Sequence, residues 1–364
     1  MSLLNKIALT FVPGIGDITA RSLLEYLGNE DAIFEASRSK LSSVPGIRKK
    51  TVEAIINKEG FDKAEKELQF IEKYKIQVLF FTEESYPKRL RNCYDAPVLL
   101  YYKGNADLNS GRVISIVGTR NATQYGKELT QQLVEDLQQR NVLVVSGLAH
   151  GIDGIAHKAC IKNNVPTVGV LGHGLDRIYP AAHRSLAEKM IENGGLLTEY
   201  PSETNPDREN FPKRNRIVAG MADATIIVEA SLKGGALITA ELANSYNKDV
   251  FAFPGNVKDE FSAGCNYLIK TNRANLISGV KDLDYFLGWS ESTELKKEKQ
   301  IKLQLNLTAE EQKVVNILEE KGIVGVDDLS LMSNLPQSKL AVTILGLEMQ
   351  GILIALPGKT YKLA

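Results

Sequence analysis

The chain has only three cysteines, Cys93, Cys160 and Cys265, set far apart and in no C-x-x-C pair. Such spacing excludes a disulfide framework and a cysteine-based zinc site, and it fits a reducing compartment. Its four histidines, His150, His157, His173 and His183, show no H-E-x-x-H or comparable ligand spacing, so no metal is expected. No apolar run is long enough to span a bilayer, and the opening MSLLNKIALTFVPGIG breaks at Pro13-Gly14, short of a signal sequence. The cytoplasm is the expected compartment, with no membrane partner. Excess charge is missing as well, with 44 Lys and Arg against 44 Asp and Glu. Global charge therefore gives no argument for nucleic acid, and any anion site must come from local clustering.

What is present is an ordinary globular composition, 43% apolar and 24% charged, in a chain of 364 residues that suggests two or three domains. The organising stretch is RVISIVGTR, Arg112 to Arg120. Val113, Ile114, Ile116 and Val117 form a buried strand that ends at Gly118-Thr119-Arg120, and a helical pattern follows from about Tyr125 to Gln139. Strand, tight glycine turn and helix open a doubly wound sheet and can seat an anion at the helix N-terminus. The G-x-G-x-x-G spacing is absent, and an arginine stands at the ligand-facing end. Further β-rich runs, NVLVVSG, VPTVGVLG, GLLTEY, ATIIVEA and DVFAFPG, alternate with helical stretches such as Ser185 to Glu192 and Ala236 to Tyr246. This alternation predicts a mostly parallel sheet covered on both faces.

The flanks differ. Residues 1–60 read as helical, with two similar turns, Val12-Pro13-Gly14-Ile15-Gly16 and Val44-Pro45-Gly46-Ile47-Arg48. They resemble paired helix-hairpin-helix motifs, although Arg48 stands where a second glycine would be; a packing or protein-contact module remains the other reading. Residues 61–110 read as a connector holding a charged helix and an apolar strand. Residues 289–305 read as a polar linker. Beyond it, a capped helix start at Thr308, two more helices and a hairpin suggest a winged helix. Its second long helix, Gln337 to Gln350, carries Lys339 as its only cation, which favours a protein-contact or accessory role over DNA reading. The expected division is 1–65 helical (helix-hairpin-helix/SAM-like), 66–288 Rossmann-like, 289–305 linker and 306–364 winged-helix-like.

Glycine and polar groups crowd the expected carboxyl ends of the strands: Gly118-Thr119-Arg120, the run from Ser146-Gly147 to Asp153, Gly172-His173-Gly174, Gly234-Gly235 and Pro254-Gly255-Asn256. Several such turns at one sheet edge point to a shared pocket for an anionic ligand. The densest basic element is Phe211-Pro212-Lys213-Arg214-Asn215-Arg216, read as lying at the N-terminus of the helix IVAGMA. Arginine grips phosphate with a planar fork, and a phenyl ring gives a base a face to stack on. Ser146, His150 and Asp153 could suggest a hydrolytic triad, but they crowd one turn and no G-x-S-x-G elbow is present. Glu229, Gly234, Gly235, Thr239 and Glu241 look somewhat like the signature of Rossmann-type nucleoside-monophosphate phosphoribohydrolases, without its proline and one of its glycines. Nucleotide hydrolysis is thus the alternative.

The ordered motifs GTR with Tyr125-Gly126, SGLAHGID, FPKRNRIVAG, GGALITA, FPG and GCNYLI resemble the DNA-processing protein A (DprA/Smf) family over residues 70–280. The resemblance implies an extended Rossmann-like domain that binds single-stranded DNA without catalysis or cofactor. It also implies a homodimer through that domain, and loading of the RecA recombinase onto incoming DNA during natural transformation. Carried onto this chain, the DNA-binding residues would be Gly118, Thr119, Arg120, Ser146 and Gly147 on one wall. Phe211, Lys213, Arg214, Asn215 and Arg216 would form the other, with Gly264, Cys265 and Asn266 closing an edge.

Overall fold

The computed structural model describes residues 3–289, 307–356 and 359–363. The chain divides into two compact units after Trp289. The first opens with six helices, α1 (Leu3–Phe11), α2 (Asp17–Leu27), α3 (Glu30–Glu35), α4 (Arg38–Ser42), α5 (Lys49–Ile56) and α6 (Phe61–Tyr74). Then come β1 (Gln77–Phe80), α7 (Lys88–Arg91), β2 (Leu99–Gly104), β3 (Arg112–Val117), α8 (Gln124–Leu137), β4 (Val142–Ser146) and α9 (Ile152–Lys162). β5 (Thr167–Val170), α10 (Arg184–Glu192), β6 (Gly194–Thr198), α11 (Asn210–Met221), β7 (Ala224–Ile227) and α12 (Gly235–Ser245) follow. The unit closes with β8 (Asp249–Ala252), α13 (Glu260–Lys270), β9 (Asn275–Leu276) and α14 (Val280–Phe286).

The nine strands form one sheet in the order β1-β2-β6-β5-β4-β3-β7-β8-β9. From β6 to β9 all pairs are parallel, whereas β2 runs antiparallel to β6 and β1 antiparallel to β2. The β-branched runs explain this layering, because alternate residues of each strand enter opposite cores. Val113 and Val117 of β3 pack beneath α11 and α12, while Ile114 and Ile116 pack beneath α8 and α9. Trp289, at the expected start of the linker, is buried in the second of these cores. The rest of that linker, 290–305, lies outside the described residues.

The stretch expected as a connector contributes more than a passage. Residue 65 lies inside α6, and β1 and β2 extend the sheet beyond its parallel part. Ile7, Leu23, Ile33 and Ile55 of the N-terminal helices share one core with Phe80, Leu99 and Tyr101 of those strands. Local apolar pattern located β1 but not β2, whose antiparallel pairing with β6 far downstream has no local signature.

The second unit holds α15 (Ala309–Lys321), β10 (Val324–Gly325), α16 (Val326–Ser333), α17 (Gln337–Met349), β11 (Leu353–Leu356) and β12 (Thr360–Leu363). The last strands form a three-stranded antiparallel sheet in the order β10-β12-β11, the winged-helix arrangement expected. Thr308 and Glu311 make a reciprocal capping box at the start of α15. Lys339, the cation of α17, is paired with Glu310 at 2.9 Å.

Candidate functional site

Strand order reverses between β3, whose successors β4 to β6 lie on one side, and β7, whose successors lie on the other. Loops leaving β3 and β7 part there, and a crevice opens at the carboxyl ends of the strands. A cavity of about 620 Å³ occupies it, bordered by the turns after β3 and β4, by α11 and by the start of α12.

The turn after β3 is braced from beneath. Thr119 N–H donates to the Glu229 carbonyl at 2.7 Å, and Thr123 N–H donates to the Glu229 carboxylate at 2.9 Å. The Thr123 hydroxyl also donates to that carboxylate while accepting from Gly126 N–H, which caps α8. Gly126 is required here, since any Cβ would overlap the Glu229 carboxylate. The turn thus leaves Arg120 exposed at the cavity rim. Its guanidinium lies 5.8 Å from the centroid of Phe211, and the Tyr179 ring lies 5.7 Å from the same centroid. A cation and two aromatic faces therefore form one wall.

The floor is Arg214, only 3% exposed. It donates to the Val170 carbonyl, and its Nε has no protein partner. Gly147 admits it, because a Cβ there would fall within the guanidinium. Asp153 is the neighbouring anion and accepts from Gly147 N–H at 3.1 Å. Burial pushes the Asp153 carboxyl up, and Arg214 opposes that shift. Burial likewise pulls Arg214 down to about 10, against the attraction of Asp153 and with the help of repulsion from Arg120. Two arginines at one carboxylate leave the cavity with uncompensated positive charge. The first turn of α12, with no side-chain cap at Gly234, adds Gly234 and Gly235 to the opposite rim.

Gly118, Thr119, Arg120, Gly147, Phe211, Arg214 and Asn215 all border this one cavity. The other expected residues do not. Ser146 is fully buried and its hydroxyl donates to the Ile116 carbonyl at 2.6 Å. The basic run was expected to precede its helix, but α11 begins at Asn210, so the run is itself helical. The 3.6-residue period then turns its cations apart. Lys213 is exposed beside Glu209 at 3.7 Å. Arg216 faces away from the cavity, pairing with Glu199 and with Asp17 at 3.2 Å and donating to the Asp95 carbonyl at 2.6 Å. Gly264, Cys265 and Asn266 lie on α13 and brace loops instead: Gly264 N–H donates to the Ala230 carbonyl at 2.8 Å, the Cys265 thiol is buried, and Asn266 exchanges two hydrogen bonds with the Gly255 backbone.

Tyr179, Arg208 and Lys233 also border the cavity and were not expected. Lys233 was legible as the cation before Gly234-Gly235; Tyr179 and Arg208 sit on long loops whose return depends on the whole fold. The hydrolytic constellations are not assembled. Ser146 and Asp153 are occupied as described, and His150 lies against His183 at 5.3 Å between ring centroids. Of the carboxylates in the Gly-Gly segment, Glu229 is committed to the turn and Glu241 is paired with Arg273, and neither borders the cavity.

Comparison with known proteins gives three family matches. The DNA recombination-mediator protein A model covers residues 77–288, a SAM-like helix-hairpin-helix tandem model covers 6–58, and a DprA winged helix domain model covers 302–359. Protein Smf of Synechocystis is 37% identical over 284 residues, 76% of this chain and 70% of that protein. DNA processing protein DprA of Bacillus subtilis is 40% identical over 209 residues, 57% of this chain and 70% of that one. Among solved structures, DprA from Streptococcus pneumoniae superposes with a TM-score of 0.69 at 33% identity, covering 78% of this chain and 98% of its own. DprA from Helicobacter pylori, described for its single-stranded DNA binding mode, gives a TM-score of 0.53 at 30% identity and covers 58% and 95%.

Proposed function

Because this chain belongs to the DNA recombination-mediator protein A family, we propose that it binds single-stranded DNA in the cavity between β3 and β7, without catalysing a reaction on it. The observation that carries this reading is the pairing of a buried arginine having a free Nε, Arg214, with a rim arginine stacked on Phe211. Guanidinium groups take the phosphate and the aromatic faces of Phe211 and Tyr179 take a base, a combination that tolerates any sequence. The Helicobacter pylori relative, with its single-stranded DNA binding mode, supports the same ligand class. Within the cell the protein would act in the cytoplasm as a homodimer through its Rossmann-like unit, protecting incoming DNA and loading RecA during natural transformation.

Phe211→Ala tests the cavity. Losing one stacked base weakens binding to every homopolymeric strand by about 1–3 kcal/mol, measured by fluorescence anisotropy; unchanged affinity would contradict the reading. Faster RecA filament formation on strands coated with this protein is the expected outcome for the loading step, and no acceleration would remove that part alone.

A further inference from the structure

Arg120 borders two hollows. Besides the cavity, a groove of about 580 Å³ opens on its other side, bordered by Asn121, Lys127, His150, Lys158 and His183. The basic residues come from separate elements, Lys127 from α8, Lys158 from α9, His150 from the loop before α9 and His183 from the single 3-10 turn, Ala181–His183, before α10. Among the described residues no carboxylate borders the groove, and neither Lys127 nor Lys158 makes an ion pair. The groove is also built rather than merely exposed. His183 is 6% exposed, and its Nδ1 donates to the Leu148 carbonyl at 3.0 Å, which fixes the ring at the groove. Gly154 makes room for that ring, since a Cβ there would lie 2.7 Å from its Cε1 and 2.9 Å from its Nε2. Gly151, at φ +76°, lets the start of α9 pass directly against the Thr119-Arg120 backbone.

We propose that this groove is a second phosphate subsite, which takes the backbone of a single DNA strand as it leaves the cavity across Arg120; the proposal rests on the single-strand reading above. A guanidinium offers five N–H donors in a planar fork, so Arg120 can hold one phosphate while its flanks face both hollows. Single-strand binders track the backbone along a positively charged groove, and here the positive lining continues past the stacking wall. Lys127 and Lys158 act as point charges for the next phosphates, and the His183 ring forms the floor between them. Asp153 is the anion that faces His183, while His150 and Lys158 are the positive or titratable groups beside it. Burial pulls the His183 pKa down, so that ring is neutral near pH 7 and the charge of a phosphate is met by Arg120, Lys127 and Lys158.

The test compares two oligothymidylates on the full chain by anisotropy: a tetranucleotide, held by the cavity alone, and a strand of about 16 nucleotides, which also crosses the groove. Lys127→Ala/Lys158→Ala should make the slope of log K against log salt shallower by about 1.4 for the longer strand, at about 0.7 per phosphate contact, and leave the tetranucleotide unchanged. The charge-matched Lys63→Ala/Lys66→Ala on α6 should change neither. A wild-type slope in the groove variant, an equal loss on both lengths, or an equal effect of the α6 control overturns the subsite. Arg120→Ala separates the two claims. If it leaves tetranucleotide binding intact, the cavity reading falls and the groove with it; if it weakens the tetranucleotide while the groove variant is silent, only the extension falls.

Discussion

Single residues in this molecule take roles that their identity alone does not announce. His157 is one of four histidines that a sequence reader scans for metal spacing, yet it lies wholly inside the core with Nδ1 2.7 Å from the Thr167 hydroxyl. Burial pulls its pKa down to about 3, with the charges of His183 and Arg214 acting the same way. Its folded value thus lies below that of the unfolded chain, about 6.5, so the unfolded state binds the extra proton at intermediate pH. The stability it contributes is complete above that value and lost as pH falls towards 3, at up to about 1.4 kcal/mol per pH unit. Urea denaturation from pH 7 to 4 should show this loss, and His157→Gln should flatten the difference; parallel profiles would refute the assignment. Arg120 and Gly118 were legible because a strand, a glycine turn and an arginine are adjacent in sequence. Tyr179 and Arg208 were not, because only the folded loops bring them to the cavity.

Among elements, α11 shows how secondary structure re-sorts a motif. As a string, FPKRNR is one basic patch; as a helix starting at Asn210, it presents Phe211, Arg214 and Asn215 to the cavity and sends Arg216 to the opposite side. A boundary error of a few residues at the helix start was enough to merge two functions. Arg216 joins three elements by meeting Asp17 at the start of α2, Glu199 after β6 and the Asp95 carbonyl before β2. With its side chain 14% exposed and that of Glu199 12%, the pair is largely desolvated. Removing one partner of a buried pair costs about 3–5 kcal/mol. Arg216→Ala should therefore lower the urea midpoint sharply, while the salt slope for a single strand, measured where the variant is folded, stays at the wild-type value. A lost slope without lost stability would return Arg216 to the DNA site.

At the scale of the molecule, the alternating strands and helices made the doubly wound sheet readable, because parallel strands buried on both faces carry continuous β-branched runs. The antiparallel edge was less readable, since β2 pairs with β6 far downstream, β1 pairs only with β2, and both share their core with the N-terminal helices. Net charge is zero over the whole chain, yet among the described residues the crevice at the strand reversal gathers Arg120, Arg208, Arg214 and Lys233 against Asp153 alone. That concentration, and not bulk charge, is the basis of the proposed binding. The measurement that tests it most directly is the salt dependence of affinity for single-stranded and duplex oligonucleotides, in the wild type and in Arg120→Ala/Arg214→Ala. Single-strand affinity should fall linearly with log salt and exceed that for duplex, and the double variant should show a slope shallower by about 1.4. Equal slopes in variant and wild type, or a preference for duplex, would contradict the account.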